Sequence, residues 1–476
     1  MRETDSWKLT AESSPLSYET AVAQMYALGH ELASPAHKFD LAHMRVLLAA
    51  LGNPERRFAS VLVAGTNGKG STSATLAAIL QASGLKSALY TSPHLVRINE
   101  RIRLDGVAIS DDEFALLHDL VGRTAERLVG EGDLPWHPSF FEMLTAMAFE
   151  YFARSRPDIV VLEVGMGGRL DATNVADPRL SVITDISLDH QKFLGNTLRE
   201  IAREKAGIIR RRGVVITLPQ MAEANEVIGH AILDLGARPV NAVPYVPPVS
   251  PGSDSFWRAA REPLTAQGAE VRAQDPGKRQ RYPLAVLGEE IMVESPLVGR
   301  HQLRNVALAI AAAVELREQG FAQITARSIE RGIRETRWPG RFQAVRVPGR
   351  PEFVLDVAHN PAGAWALRAT LSAEYPERPV TMVFGVLRDK AVAEITEILF
   401  PIAERVIATH ADNPRSAAVA EIREAARRIS AEIEQAETVP EALEKAERAA
   451  GPNGLVVVTG SIYIVGEAMR ALGVRI

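Results

Sequence analysis

A chain of 476 residues exceeds what one ordinary hydrophobic core accommodates, so two domains are expected, and no apolar run approaches the about 18 to 20 residues that a membrane span needs. The absence of cysteine excludes disulfides, thiolate zinc sites and cysteine nucleophiles, leaving carboxylate, hydroxyl, carbonyl and imidazole donors for any metal, a set that suits Mg2+. With 54 basic and 58 acidic residues the net charge is −4, and no long basic block marks a nucleic-acid footprint, so anionic substrates must be met by local cations.

The polar N-terminus, of mixed charge, lacks the apolar core and cleavage site of a secretory signal, and the chain reads as cytoplasmic. Short apolar runs at 60–64, 87–90, 158–163, 181–186 and 214–217 alternate with helix-length segments such as 139–154 and 198–209. This alternation predicts an α/β fold with a mainly parallel sheet flanked by helices. Between 243 and 283 the pattern gives way to Pro244, Pro247, Pro248, Pro251 and Gly252, which suits an irregular loop or a β-hairpin. Regularity returns at 297–316, and further strands are expected at 353–357, 380–384, 405–409 and 455–459. The domain boundary is placed near residue 298, giving domains at 1–298 and 299–476.

Gly65-Thr66-Asn67-Gly68-Lys69-Gly70-Ser71-Thr72 lies where a strand feeds a helix, so backbone N–H groups and the helix N-terminus can converge on phosphate oxygens. Lys69 would neutralise the β and γ phosphates, and Ser71 or Thr72 would bond a phosphate or a metal ion. The segment is not a strict Walker A loop: Val63 stands where the first glycine belongs, and Gly70 separates Lys69 from its hydroxyl residue. The residues say nucleotide, not reaction.

Glu163 closes the run Ile159-Val160-Val161-Leu162 and precedes glycines, which puts a carboxylate at the C-terminal edge of a sheet, where open α/β folds bind ligands. Buried there without a cation or donor it would cost several kcal/mol, so a partner is expected. His190 follows the next strand by a few residues and is either a site residue or an imidazole satisfied by backbone groups. Lys205, on a helix, is either a surface residue paired with an acid or part of the site. Phe140 and Phe141 offer aromatic surface, yet adjacent phenylalanines opening a helix also serve as core. His359, just before the helix starting at Pro361, is a phosphate-side contact or a capping group.

The loop, with Thr91-Ser92-Pro93-His94, Ser139-Phe140-Phe141-Glu142, the run Glu163 to Asn174, Asp189-His190, Glu204-Lys205-Ala206-Gly207, His301-Gln302 with Asn305, Trp338-Pro339-Gly340-Arg341, Asp356 with His359-Asn360-Pro361, and Gly460-Ser461, resembles in order the folate branch of the Mur ligase superfamily. The resemblance runs from about residue 39 to the C-terminus, the Pro-rich stretch excepted. It implies an N-terminal P-loop ATPase-type domain, a smaller Rossmann-like C-terminal domain, and an ATP-dependent ligase that joins L-glutamate to a folate or dihydropteroate carboxylate through an acyl phosphate.

By that resemblance Asn67, Gly68, Lys69, Gly70, Ser71 and Thr72 cradle ATP, while Asn305 reads the adenine, Arg341 clamps phosphate and Asp356 accepts from the ribose, these three from a domain other than the loop's. Ser92, Glu163, His190 and a carbamylated Lys205 hold one or two Mg2+; Lys69, Glu163, His190, Lys205 and His359 form the catalytic set. Ser139, Phe140, Phe141, Glu142, Leu170, Asp171 and Ala172 meet the pteroate. A monomer acting on small molecules is implied. Val357 replaces the usual glycine before His359, and Ala391 follows Asp389-Lys390 where a second aspartate is common. A muramyl-peptide ligase ranks low, because about 60 residues precede the loop, and a non-ligase ATP switch would leave the carboxylate, imidazole and lysine without work.

Overall fold

A computed structural model of the protein describes residues 16–29, 40–248, 279–429 and 432–474. The first sheet contains β1 (Ser60–Ala64), β2 (Ser87–Tyr90), β3 (Ile102–Leu104), β4 (Val107–Ala108), β5 (Ile159–Glu163), β6 (Leu180–Ile183), β7 (Val214–Thr217) and β8 (Arg238–Asn241), in the order β4-β3-β2-β5-β1-β6-β7-β8. From β2 to β8 the pairing is parallel; β3 and β4 add an antiparallel edge. β1 and β5 are buried along their whole length, as central parallel strands covered on both faces must be, and this is why they read as unbroken apolar runs.

A hairpin, β9 (Gln280–Val286) with β10 (Glu289–Ser295), turns through Leu287 and Gly288, both at positive φ, as a two-residue hairpin turn requires. It takes up the end of the Pro-rich stretch; 249–278 of that stretch lie outside the described residues. The second sheet holds β11 (Gln343–Arg346), β12 (Glu352–Leu355), β13 (Val380–Phe384), β14 (Arg405–Ala408), β15 (Ile433–Gln435) and β16 (Leu455–Thr459), ordered β11-β12-β16-β13-β14-β15. Only its β11–β12 edge is antiparallel. The α/β class and the two parallel-rich layers follow the expected architecture.

Where the cores divide differs from expectation. Helix Arg300–Glu318 buries Leu303, Val306 and Ile310, and helix Ala326–Glu335 buries Ile329 and Ile333, in the same core as Val61 and Val63 of β1 and Ile79 of helix Lys69–Ala82. Gly332 lets the later helix touch the backbone of Ile79. The change of core therefore falls between Glu335 and Gln343, after the expected boundary at 298, because the apolar faces of both helices cover the first sheet rather than the second.

Candidate active site

The C-terminal ends of β1, β5 and β6 lie side by side, and the loop after β1 is pinned to the chain leaving β6: Thr66 N and Asn67 N both donate to Asp185 O, at 2.9 and 3.1 Å. Asp185 is in turn gripped by Arg304 in a two-pronged ion pair at 2.6 to 3.0 Å. The glycines are sterically required. A Cβ on Gly65 would run into the Thr184 hydroxyl, and one on Gly68, at φ +90°, into the Asn305 amide. Val63, in place of the first Walker glycine, is simply an inward-facing residue of β1.

Two lysines converge on one carbonyl. Lys69 donates to Gly65 O at 3.1 Å and Thr66 O at 3.2 Å, and Lys205, 3% exposed, donates to Gly65 O at 2.8 Å. Burial lowers the pKa of both, with Lys390 adding to the effect at Lys69; for Lys205, burial and the neighbouring Lys69 push it down to about 7. Lys205 is thus an interior group, not a surface helix residue. Glu163 is buried beside them, its Oε2 accepting from Ser92 N at 3.4 Å, in the chain just after β2.

Asp189 forms a second centre that reaches across to the other sheet. It is buried, accepts from Lys390 Nζ at 2.6 Å and from Asn360 Nδ2 at 3.0 Å, and lies 3.6 Å from His359 Nε2. Asn360 Nδ2 also donates to Asn67 Oδ1 at 3.0 Å, tying the N-terminus of helix Pro361–Glu374 to the phosphate loop. Burial would raise the Asp189 carboxyl, but His359 and Lys390 outweigh it and hold it well below the usual carboxylate range. His190 takes a left-handed conformation (φ 50°), and burial with Lys390 nearby pushes its imidazole down to about 3, so it is neutral. Its Nδ1 is buried without a hydrogen-bond partner.

Arg341 and Asp356 sit at the edge of the second sheet. Asp356 accepts from Phe342 N at 2.8 Å and Ala358 N at 2.9 Å, so it fixes the turn that presents Arg341; burial raises its pKa and lowers that of Arg341. Arg341, Ser92 and Trp338 line one pocket. Asn305 does not come from the second sheet: its helix belongs to the first core, and its amide packs on Gly68. The cap of helix Pro361–Glu374 is Asn360, which accepts from Gly363 N at 2.8 Å, so His359 is not the capping group.

The residues expected to meet a pteroate divide. Ser139 and Glu142 form the capping box of helix Phe140–Ser155, and Glu142 also bonds His43 at 3.1 Å. Phe140 is buried and stacked on Tyr26 with ring centres 5.8 Å apart. Phe141 instead covers Gly165, directly after Glu163 and Val164. Asp171 is buried and accepts from Met166 N and from Thr173 N, both at 3.0 Å, which shapes the turn carrying Leu170 and Ala172. Sequence gives Asp189, Asn360 and Lys390 no role; what joins them is proximity between residues 171 and 201 positions apart, which spacing does not reveal.

As to a metal, Ser92 and Glu163 offer the oxygen donors a hard cation prefers and His190 a nitrogen without a partner, so the set fits Mg2+ in part. Among the described residues no three His, Asp or Glu side chains gather as a ready-made metal cluster. No helix of the described residues is long and apolar enough to cross a membrane.

Comparison with known proteins extends this picture. Residues 340–462 match the family described as "Mur ligase, glutamate ligase domain". The chain is 34% identical over 436 residues to the dihydrofolate synthase/folylpolyglutamate synthase of Bacillus subtilis, covering 91% of this chain and 95% of the relative. It is 32% identical to the folylpolyglutamate synthase of Lacticaseibacillus casei, covering 96% and 99%. The crystal structure of Mycobacterium tuberculosis folylpolyglutamate synthase complexed with ADP and AMPPCP superposes with a TM-score of 0.81 at 31% identity over 96% of this chain and 99% of that one. An Escherichia coli relative in complex with DHPP and ADP gives 0.77 at 29% identity, over 95% and 97%.

Proposed function

Since the chain belongs to the dihydrofolate synthase/folylpolyglutamate synthase family of ATP-dependent ligases, we propose that it joins L-glutamate to a folate or dihydropteroate carboxylate through an acyl phosphate. The observation that carries the reading is the meeting, on one phosphate loop, of the half-buried Lys69, the buried Lys205, the Glu163 carboxylate and a bridge of side chains from the second sheet.

A free carboxylate is a poor acyl donor because its leaving group would be oxide. Its oxygen therefore attacks the γ phosphorus, the bond to the β–γ bridging oxygen breaks, and ADP leaves. The amine of glutamate then attacks the acyl carbon, phosphate leaves, and a proton is released. In this reading the loop N–H groups and the N-terminus of helix Lys69–Ala82 hold the phosphate chain, and Lys69 turns from the loop carbonyls to the γ phosphate. Arg341 offsets charge on the transferred group, and Asn360, Lys390 and Asp189 hold the second sheet against the loop so that water is kept from the acyl phosphate. Phe141 and Leu170 flank the pteroate.

Lys205 is partly neutral near pH 7, the state that adds CO2: nitrogen bonds carbon, a proton leaves, and the carbamate gains two oxygen donors. Ser92, Glu163, His190 and that carbamate would hold one or two Mg2+, and the bound metal would supply positive charge against the charge developing on the phosphates. Growth of a 13C carbamate signal from labelled bicarbonate, lost in Lys205→Arg, checks the modification. A cytoplasmic monomer completes the reading, and sedimentation checks the latter.

The deciding experiment is glutamate- and Mg2+-dependent phosphate release from ATP with dihydropteroate, tetrahydrofolate or a UDP-muramyl peptide. Release with both pterins is expected. Release with the muramyl peptide alone, or without regard to glutamate, would overturn the reading.

A further inference from the structure

Gly70, the residue that separates Lys69 from its hydroxyl neighbours, is occupied from outside by an aromatic ring. A Cβ there would lie 2.7 Å from Trp338 Cζ2 and 2.9 Å from both Cε2 and Nε1. The glycine is thus the seat of an indole, laid on the first turn of helix Lys69–Ala82. Trp338 comes from the segment that joins helix Ala326–Glu335 to the second sheet, and it lines the same pocket as Ser92 and Arg341. Its Nε1 is buried and has no hydrogen-bond partner. An indole N–H is a donor only, and leaving one unmet in the interior costs about 1–3 kcal/mol, so an acceptor is to be expected. Next to Gly70 the groups at hand are a helix N-terminus and Lys69, surroundings that favour an anion.

We propose that Trp338 is a nucleotide-binding residue: its indole N–H donates to a phosphate oxygen of the nucleotide held by the loop, and Gly70 is present to let the ring approach. The inference rests on the reading of the loop as an ATP site. It assigns the segment between the two sheets a direct contact with the nucleotide, so that filling the loop also fixes the joint about which the second sheet is set.

Two measurements test it. Calorimetry of AMPPCP binding to the unaltered chain establishes whether the loop binds nucleotide at all; failure there sinks the ATP reading and not only this inference. If binding occurs, Trp338→Phe, which keeps a ring over Gly70 and removes the donor, is expected to weaken AMPPCP and ADP by about 10- to 100-fold, the range of a hydrogen bond to a charged group. Its melting temperature should stay near that of the unaltered chain. Unchanged affinity in a folded Trp338→Phe overturns the proposal. Should that variant not fold, the 15N indole signal of Trp338 decides, assigned by replacing the other four tryptophans. It is expected to move with AMPPCP, ADP and tripolyphosphate and to ignore adenosine. A signal that follows adenosine alone, or none of the four, overturns it.

Discussion

The two sheets approach the phosphate loop by different means. The first presents main chain: Gly65, Gly68 and Gly70 each lie against Thr184, Asn305 or Trp338 so closely that no side chain would fit. The second presents side chains, Asn360, His359 and Lys390, which cross to Asn67 and Asp189. The glycine packing tolerates no added bulk; the side-chain bridge depends instead on the charges it pairs. The chain therefore holds its nucleotide region with one rigid jaw and one electrostatic jaw.

The strongest test of the electrostatic jaw is Lys390→Met, which strands the Asp189 carboxylate in the interior and should cost about 3–5 kcal/mol of stability by chemical denaturation. Adding Asp189→Asn should recover most of that loss; no recovery would mean the pair is not what joins the sheets. Lys69→Ala should lower kcat for glutamate-dependent phosphate release by about 10²- to 10³-fold, the usual loss for one donor to developing charge. The rigid jaw is probed by Gly68→Ala, where both the positive φ and the Asn305 amide oppose a Cβ; about 1–3 kcal/mol of strain should appear as weaker ATP binding with little change in Lys390-dependent stability. An Ala variant that binds ATP as before would erase the contrast between the jaws.

The smallest effect belongs away from both. Burial opposes the charge on His43, but its bonds to Glu142 and to Trp136 O prevail and raise its pKa. A raised histidine contributes stability in full below its unfolded value and loses it as pH climbs through the folded value. His43→Gln should therefore lower the melting temperature more at pH 6 than at pH 8, with phosphate release at saturating substrate unaffected.

What the sequence made legible was the local part. The runs at 60–64, 87–90, 214–217, 380–384 and 455–459 coincide with strands because a central parallel strand must be apolar throughout. The edge strands β4, β8, β11 and β15, and β3 beside β4, are not legible in the sequence: they are short, and several carry charged or polar residues such as Arg103, Arg238 and Glu434. The phosphate loop was legible because its glycines and lysine are contiguous. The Asp189–Lys390–Asn360 bridge was not, since nothing in the chain marks which distant cation will neutralise a given carboxylate. That Asn305 sits with the first core is hidden for a related reason: periodicity shows that a helix has an apolar face, not which sheet that face covers.

The attachment of helices Arg300–Glu318 and Ala326–Glu335 to the first core bears on how such ligases can be recombined. A fragment severed near residue 298 would carry Leu303, Val306, Ile310, Ile329 and Ile333 into water as an uncovered stripe, an invitation to aggregate. Severed between Glu335 and Gln343, those five residues stay covered, and the second core gives up Val298. That seam runs through Trp338 and Arg341, so a chimaera that trades second halves also trades the residues at its own splice.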